Sequence, residues 1–136
     1  MPAYNFQKQF VPYILSWRKP HTIRRRRKHV TKVGDWLYLY TGMRTKQCEW
    51  ICSTRCVRID PIIILPFEKN LISGFHIDIK EFVFNDGFED VDTFYKFFER
   101  YKQDRLDDFE IISWEPERMY PTGNYQTFLE RQDEPH

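Results

Sequence analysis

Apolar positions along this chain recur at two spacings, and the change from one to the other lays out most of its elements. Residues 4–9 read as a short strand. Phe10, Val11, Ile14 and Leu15 then follow helical spacing, with Pro12 accommodated in a first turn. Pro20 biases Lys19 away from helical geometry, so residues 19–24 read as an extended or turn-like connection and residues 25–31 as an exposed loop. Val33-Gly34-Asp35 is a turn signal, and Trp36-Leu37-Tyr38-Leu39-Tyr40 is dense in strand formers. Thr41-Gly42 bends the chain, and two further strands are expected over residues 47–51 and 56–65, with Pro61 marking a break or an edge. Residues 69–74 predict a turn, and residues 75–79 alternate like a half-buried strand. Asn85-Asp86-Gly87 is a second turn. Val91, Phe94, Tyr95, Phe98 and Tyr101 then trace one face of an amphipathic helix with Asp90 as its N-cap, and residues 109–114 read as a last strand.

Several strands with two helices predict an α+β fold, a small β-barrel flanked by two helices. A length of 136 residues suits one domain with a real core. We place it over residues 1–115 and expect residues 116–136, polar and proline-bearing, to form a peripheral C-terminal tail.

Charge changes the picture. The net value of +1 hides a division, because residues 1–58 carry thirteen Lys/Arg against two acids and residues 59–136 carry eight against eighteen. The halves neutralise each other across an interface, or present one positive face to a phosphate-bearing partner. No run approaches membrane-spanning length and the first fifteen residues lack an apolar signal core, so no membrane association and a cytoplasmic location are expected. Cys48, Cys52 and Cys56 fit a zinc site only partially, with His76 the nearest spare ligand. Buried reduced thiols on strands, with no metal and no cofactor, are the expectation.

Most of the positive charge lies between Trp17 and Lys32, which holds eight Lys/Arg and no acid. Inside it stands the spaced set Lys19, Thr22, Arg24, in which an ammonium, a hydroxyl and a guanidinium can meet one anion. Arg25, Arg26, Arg27 and Lys28 follow at once and suit nonspecific, salt-sensitive attraction to nucleic acid. Arg44 adds a further planar fork for a phosphate or base edge, and Trp17 and Tyr40 are rings on which a base can stack.

At these positions the chain resembles the ASCH domain family, relatives of the PUA RNA-binding fold. The resemblance runs through Phe6-Gln7-Lys8-Gln9-Phe10, Lys19-x-x-Thr22-x-Arg24, Val33-Gly34-Asp35, Leu37 to Lys46, Asp86-Gly87-Phe88 and the strand over 109–114. It implies a PUA-like barrel with a cleft between sheet and helices, lined by Lys19, Thr22 and Arg24 and faced by an acid from the turn before the second helix, here Asp86. It also implies binding of RNA or a modified nucleoside, with DNA a further polymer of the same charge. Some small bacterial members are amidohydrolases that deacetylate 4-acetylcytidine with the equivalent Lys and Thr and a glutamate. On that alternative Lys19, Thr22 and Asp86 are catalytic: Lys19 as base, Thr22 as nucleophile or water-positioner, Asp86 orienting. Two positions differ, since Trp17 stands where the family has glycine and Asp86 is one methylene shorter than the glutamate. A third alternative is a protein-interaction module, with the acidic half and the apolar residues of 119–128 docking on a protein partner.

Overall fold

The computed structural model describes residues 2–115 and 120–121. Its strands are Ala3–Phe6 (β1), His21–Arg25 (β2), Trp36–Thr41 (β3), Glu49–Leu65 (β4), Asn70–Ser73 (β5), Leu106–Trp114 (β6) and Tyr120–Pro121 (β7). Three α-helices, Val11–Leu15 (α1), Ile79–Asn85 (α2) and Val91–Phe98 (α3), complete an α+β fold. A short 3-10 turn leads into α1, a second separates β4 from β5, and a third extends α3.

Strand β4 is the spine. Its first half pairs with β3 and its last four residues pair with β5, while β6 lies along the span from Cys56 to Ile64. Register shifts between Cys56 and Arg58 and between Ile62 and Ile64 interrupt the ladder to β6, as bulges do where a strand turns from one sheet partner to another. The two separate strands expected over 47–51 and 56–65 are therefore one strand of 17 residues. Pro61 does not break it. It falls after Arg55, the last residue paired with β3, and before Ile62, the first paired with β5, where β4 carries a ladder on one side only.

The hydrogen-bonded path runs β1-β3-β4-β6-β2, with β5 and β7 attached to β4. β1 joins β3 in parallel, and the other pairings are antiparallel. Among the described residues no ladder joins the end strands β1 and β2. Side chains span that gap instead: Arg24 Nη2 donates to Asn5 O at 2.5 Å, and Arg27 Nη2 donates to Ala3 O.

Residues 75–79 do not form the expected strand. Asp78 takes extended geometry, its carboxylate accepts from Glu81 N–H, and helix α2 begins behind it, a third helix where two were expected. The extended segment sits one step earlier, at β5, after Lys69 turns the chain in the left-handed region. Of residues 19–24, expected as an extended or turn-like connection, those from His21 onward form β2, which reaches Arg25 and pairs with β6. α3 follows its expected pattern: Asp90 accepts from Thr93 N–H at 2.7 Å, and Phe94, Tyr95 and Phe98 are buried. Their rings join Phe10, Phe82, Phe88 and Phe97 in edge-to-face contacts with centroids 5.1–6.2 Å apart, which packs the helices on one another, and Phe98 meets Phe109 of β6 at 6.1 Å. The expected tail falls mainly on residues outside those described, and Tyr120–Pro121 pairs with Cys52 and Ser53 of β4.

Candidate functional site

The site is assembled by two chain reversals. The first ends α1. Ser16 caps the helix, and Trp17 takes φ +68° with its N–H on Ile14 O at 3.2 Å, the left-handed position after a helix that glycine usually fills. Lys19 N–H then reaches back to Tyr13 O at 2.8 Å, which turns Lys19 toward the helix layer. The second reversal ends α2. Asp86 caps it, and Gly87 takes φ +98°. A Cβ at Gly87 would stand 2.7 Å from Phe10 Cδ1, so glycine is required there for both backbone and space.

Arg18 ties the two reversals together. Its guanidinium lies over the Phe84 ring at 3.6 Å and the Tyr13 ring at 4.0 Å, and donates to Phe84 O and Phe88 O. Stacked planes and a forked donor set suit arginine and not lysine.

Held this way, Lys19 and Asp86 meet. Lys19 Nζ donates to Asp86 Oδ1 at 2.7 Å and to Asp86 O at 2.6 Å, and each residue is only 3% exposed. A buried ion pair needs such geometry to offset the loss of water. Burial pulls the Lys19 ammonium below its ordinary range, against the opposing pull of Asp86. Burial pushes the Asp86 carboxyl the other way, but the Lys19 ammonium and the neighbouring His21 outweigh it and hold the acid below its ordinary value. His21 Nε2 lies 3.3 Å from the same Oδ1 without hydrogen-bond alignment, and its ring stacks on Phe82 at 4.9 Å.

Thr22 and Arg24 stand two apart on β2 and share a face. Arg24 Nε donates to Thr22 Oγ1 at 3.0 Å, which leaves the threonine proton free to be donated elsewhere. Lys19, Thr22, Arg24 and Asp86 all line one cleft of ≈ 160 Å³. Phe6, Phe10, Phe88, Phe97 and Tyr101 supply its aromatic surface. Asn5, Gln7 and Arg100 supply further polar groups. The cleft thus has a charged pair at its floor, ring faces along its sides and guanidinium groups higher up.

The other expected binding residues stand apart from it. Trp17 is 52% exposed, Tyr40 is half-buried on β3, Arg44 is exposed in the loop after β3, and none of the three lines the cleft. Arg25 pairs with Asp108 at 2.9 Å and lies over the Tyr101 and Phe109 rings. Arg26 and Lys28 are exposed, while Arg27 is held against β1 and the Tyr4 ring at 4.0 Å. Of the basic run, then, Arg24 and Arg27 hold the sheet ends together. Cys52 and Cys56 are buried on β4, but Cys48 is exposed in the preceding loop and is not a buried strand thiol. Among the described residues no cluster of three metal-binding side chains forms.

Asn5, Gln7, Arg100 and Tyr101 were missed as cleft residues. Tyr101 carried the helical periodicity of α3 and so read as core, while Arg100 sits just off that stripe and carried no signal. Comparison of the chain with protein-family models, with curated proteins and with solved structures finds no match.

Proposed function

We propose that this protein is a binding module for RNA or a modified nucleoside, with an ASCH-type cleft as its site. The observation that carries the reading is the convergence of Lys19, Thr22, Arg24 and Asp86, which lie 67 residues apart at the Lys19–Asp86 contact, on one aromatic-lined cleft. Such a cleft offers ring faces for stacking and polar groups for the edge of a base. Its volume is that of about five waters, which suits one extruded or free base and not a length of strand. Arg26 and Lys28, exposed beside the β2 end of the sheet, supply nonspecific attraction to a phosphate chain. The PUA-like barrel belongs to the same proposal. Its support is the pair of arginine side chains that bridge β1 and β2, the two ends of the sheet path.

Titration of a short single-stranded RNA and of cytidine, at low and at moderate salt, tests the reading. Binding that weakens when Thr22→Val removes the cleft hydroxyl is expected. Absence of binding to both ligands at low salt removes the reading.

A second reading, hydrolysis of an acylated base such as 4-acetylcytidine, is favoured by one observation: a buried lysine of lowered pKa lines the same cleft as a threonine whose hydroxyl accepts from Arg24 and can donate. In the resting geometry Lys19 is committed twice to Asp86 and Thr22 bonds Arg24, so proton transfer between Lys19 and Thr22 requires substrate to displace one of these bonds. Cytidine release from 4-acetylcytidine that disappears in Thr22→Val is the expected result on this reading, and release that survives it places the chemistry elsewhere.

A further inference from the structure

We infer that Arg24 and Arg100 form a phosphate site at the mouth of the cleft, so that its ligand is a phosphorylated nucleotide or a phosphate-bearing strand end and not a neutral nucleoside. This rests on the base-binding reading above and adds the anion to it.

The first ground is charge. Lys19 and Asp86 neutralise each other at 2.7 Å. Arg24 spends its hydrogen bonds on uncharged acceptors, Thr22 Oγ1 and Asn5 O. Arg100 donates to Phe97 O at 3.0 Å. Among the described residues neither arginine has a carboxylate within ion-pairing distance. Two uncompensated positive charges therefore line one cleft, and that matches the charge of a terminal phosphate.

The second ground is geometry. The Arg100 guanidinium lies 3.7 Å above the Phe97 ring, and its Nε is tied to the Phe97 carbonyl. Stacking and that one bond fix the plane and leave both terminal nitrogens without an acceptor among the described residues. Arg24 is likewise held over the Phe6 ring at 4.7 Å. Beyond its bonds to Thr22 and Asn5, Arg24 keeps Nη1, which has no acceptor among the described residues, and two guanidinium groups already held in place cost little ordering when an anion arrives. Depth sets the order of contacts: Lys19 and Asp86 are buried, Arg24 is half-buried and Arg100 is exposed. A base fills the floor, and its phosphate meets the arginines above.

The test is titration of the full chain, at low salt, with cytidine, cytidine monophosphate and inorganic phosphate. The monophosphate is expected to bind about tenfold or more tightly than cytidine, the usual scale of one charge-assisted contact. Arg100→Gln, a change at an exposed position, is expected to bring that ratio to near one. Arg105→Gln, which removes the same charge from an exposed residue outside the cleft, is expected to leave the ratio as it was. Equal affinity for monophosphate and cytidine, or a ratio unmoved by Arg100→Gln, overturns the proposal while base binding stands. Inorganic phosphate binding as tightly as the monophosphate, and lost in Arg100→Gln, supports the anion site and removes the base reading. Binding of none of the three overturns both.

Discussion

At the scale of single residues the molecule turns on one buried ion pair. Removing one partner of such a pair leaves the other charged and dry, at a cost of about 3–5 kcal/mol. Lys19→Met is therefore expected to destabilise by that amount, and adding Asp86→Leu is expected to recover most of it, because two apolar groups need no partner. Urea unfolding of the two variants and the parent checks the cycle, and additive losses would mean that the pair does not act as a unit. The pH dependence has a definite sign. Asp86 is held below its ordinary 3.8, so its contribution is present above that pH and is lost as pH falls through the lower folded value. The parent should lose stability on that acid limb more steeply than the double variant. Lys19 is lowered from its ordinary 10.5, so its buried charge is a cost that is relieved as pH climbs toward that value. Trp17 belongs to this scale as well. Its left-handed backbone is one that glycine takes most easily, and its exposed ring leaves room for the turn.

At the scale of elements, the α2 terminus decides where the acid sits. Asp86 is aimed by a helix end, a glycine and the Arg18 fork, and not by a strand. Gly87→Ala puts a Cβ into Phe10 and forces an L-residue into left-handed backbone, together costing about 2–4 kcal/mol. The expected outcome is a lower melting temperature and, on the proposed function, weaker ligand binding, since Asp86 moves with the turn. A melt unchanged from the parent would show that the turn has room that this packing does not leave. The strands add a second lesson. β4 reads as two segments, 47–51 and 56–65, with Pro61 inside the second, yet it runs unbroken from Glu49 to Leu65 and the proline falls where one side of the strand is unpaired.

Over the whole molecule, the basic and acidic halves of the chain meet in ion pairs: Arg18 with Glu89, Lys19 with Asp86 and Arg25 with Asp108. Part of the charge division is therefore internal, and what remains uncompensated at the cleft is more informative than the +11 and −10 of the halves. Among the described residues no helix is long and apolar enough to cross a membrane. Burial of the sheet also sets the chemistry of the thiols. Cys52 is pushed up to about 12 by burial, and Cys56 is raised for the same reason. A thiol-reactive disulfide reagent is expected to modify Cys48 at once, and Cys52 and Cys56 only at the rate of opening of β4. Mass spectrometry of a time course separates these cases, and three equally fast thiols would contradict the burial.

The α+β class, the helix from residue 91 and the strands read at 36–40 and 109–114, the second of which begins earlier, at Leu106, were legible in the sequence, because hydrophobic period and capping residues are local signals. The spacing of Lys19, Thr22 and Arg24 singled them out as a set, and the structure brings the three to one cleft with Asp86. The cap at Asp78 that starts α2 is a local signal too, but the alternation over residues 75–79 hid it. The tertiary structure alone decided the rest. Arg24 and Arg27 became cross-ties between sheet ends, which depends on β1 and β2 arriving side by side. Arg100 joined the cleft because α3 and its 3-10 extension pack over β2 and β6, a contact between residues about 76 apart that no local pattern encodes. Local chemistry names the groups, and long-range packing decides which of them face each other.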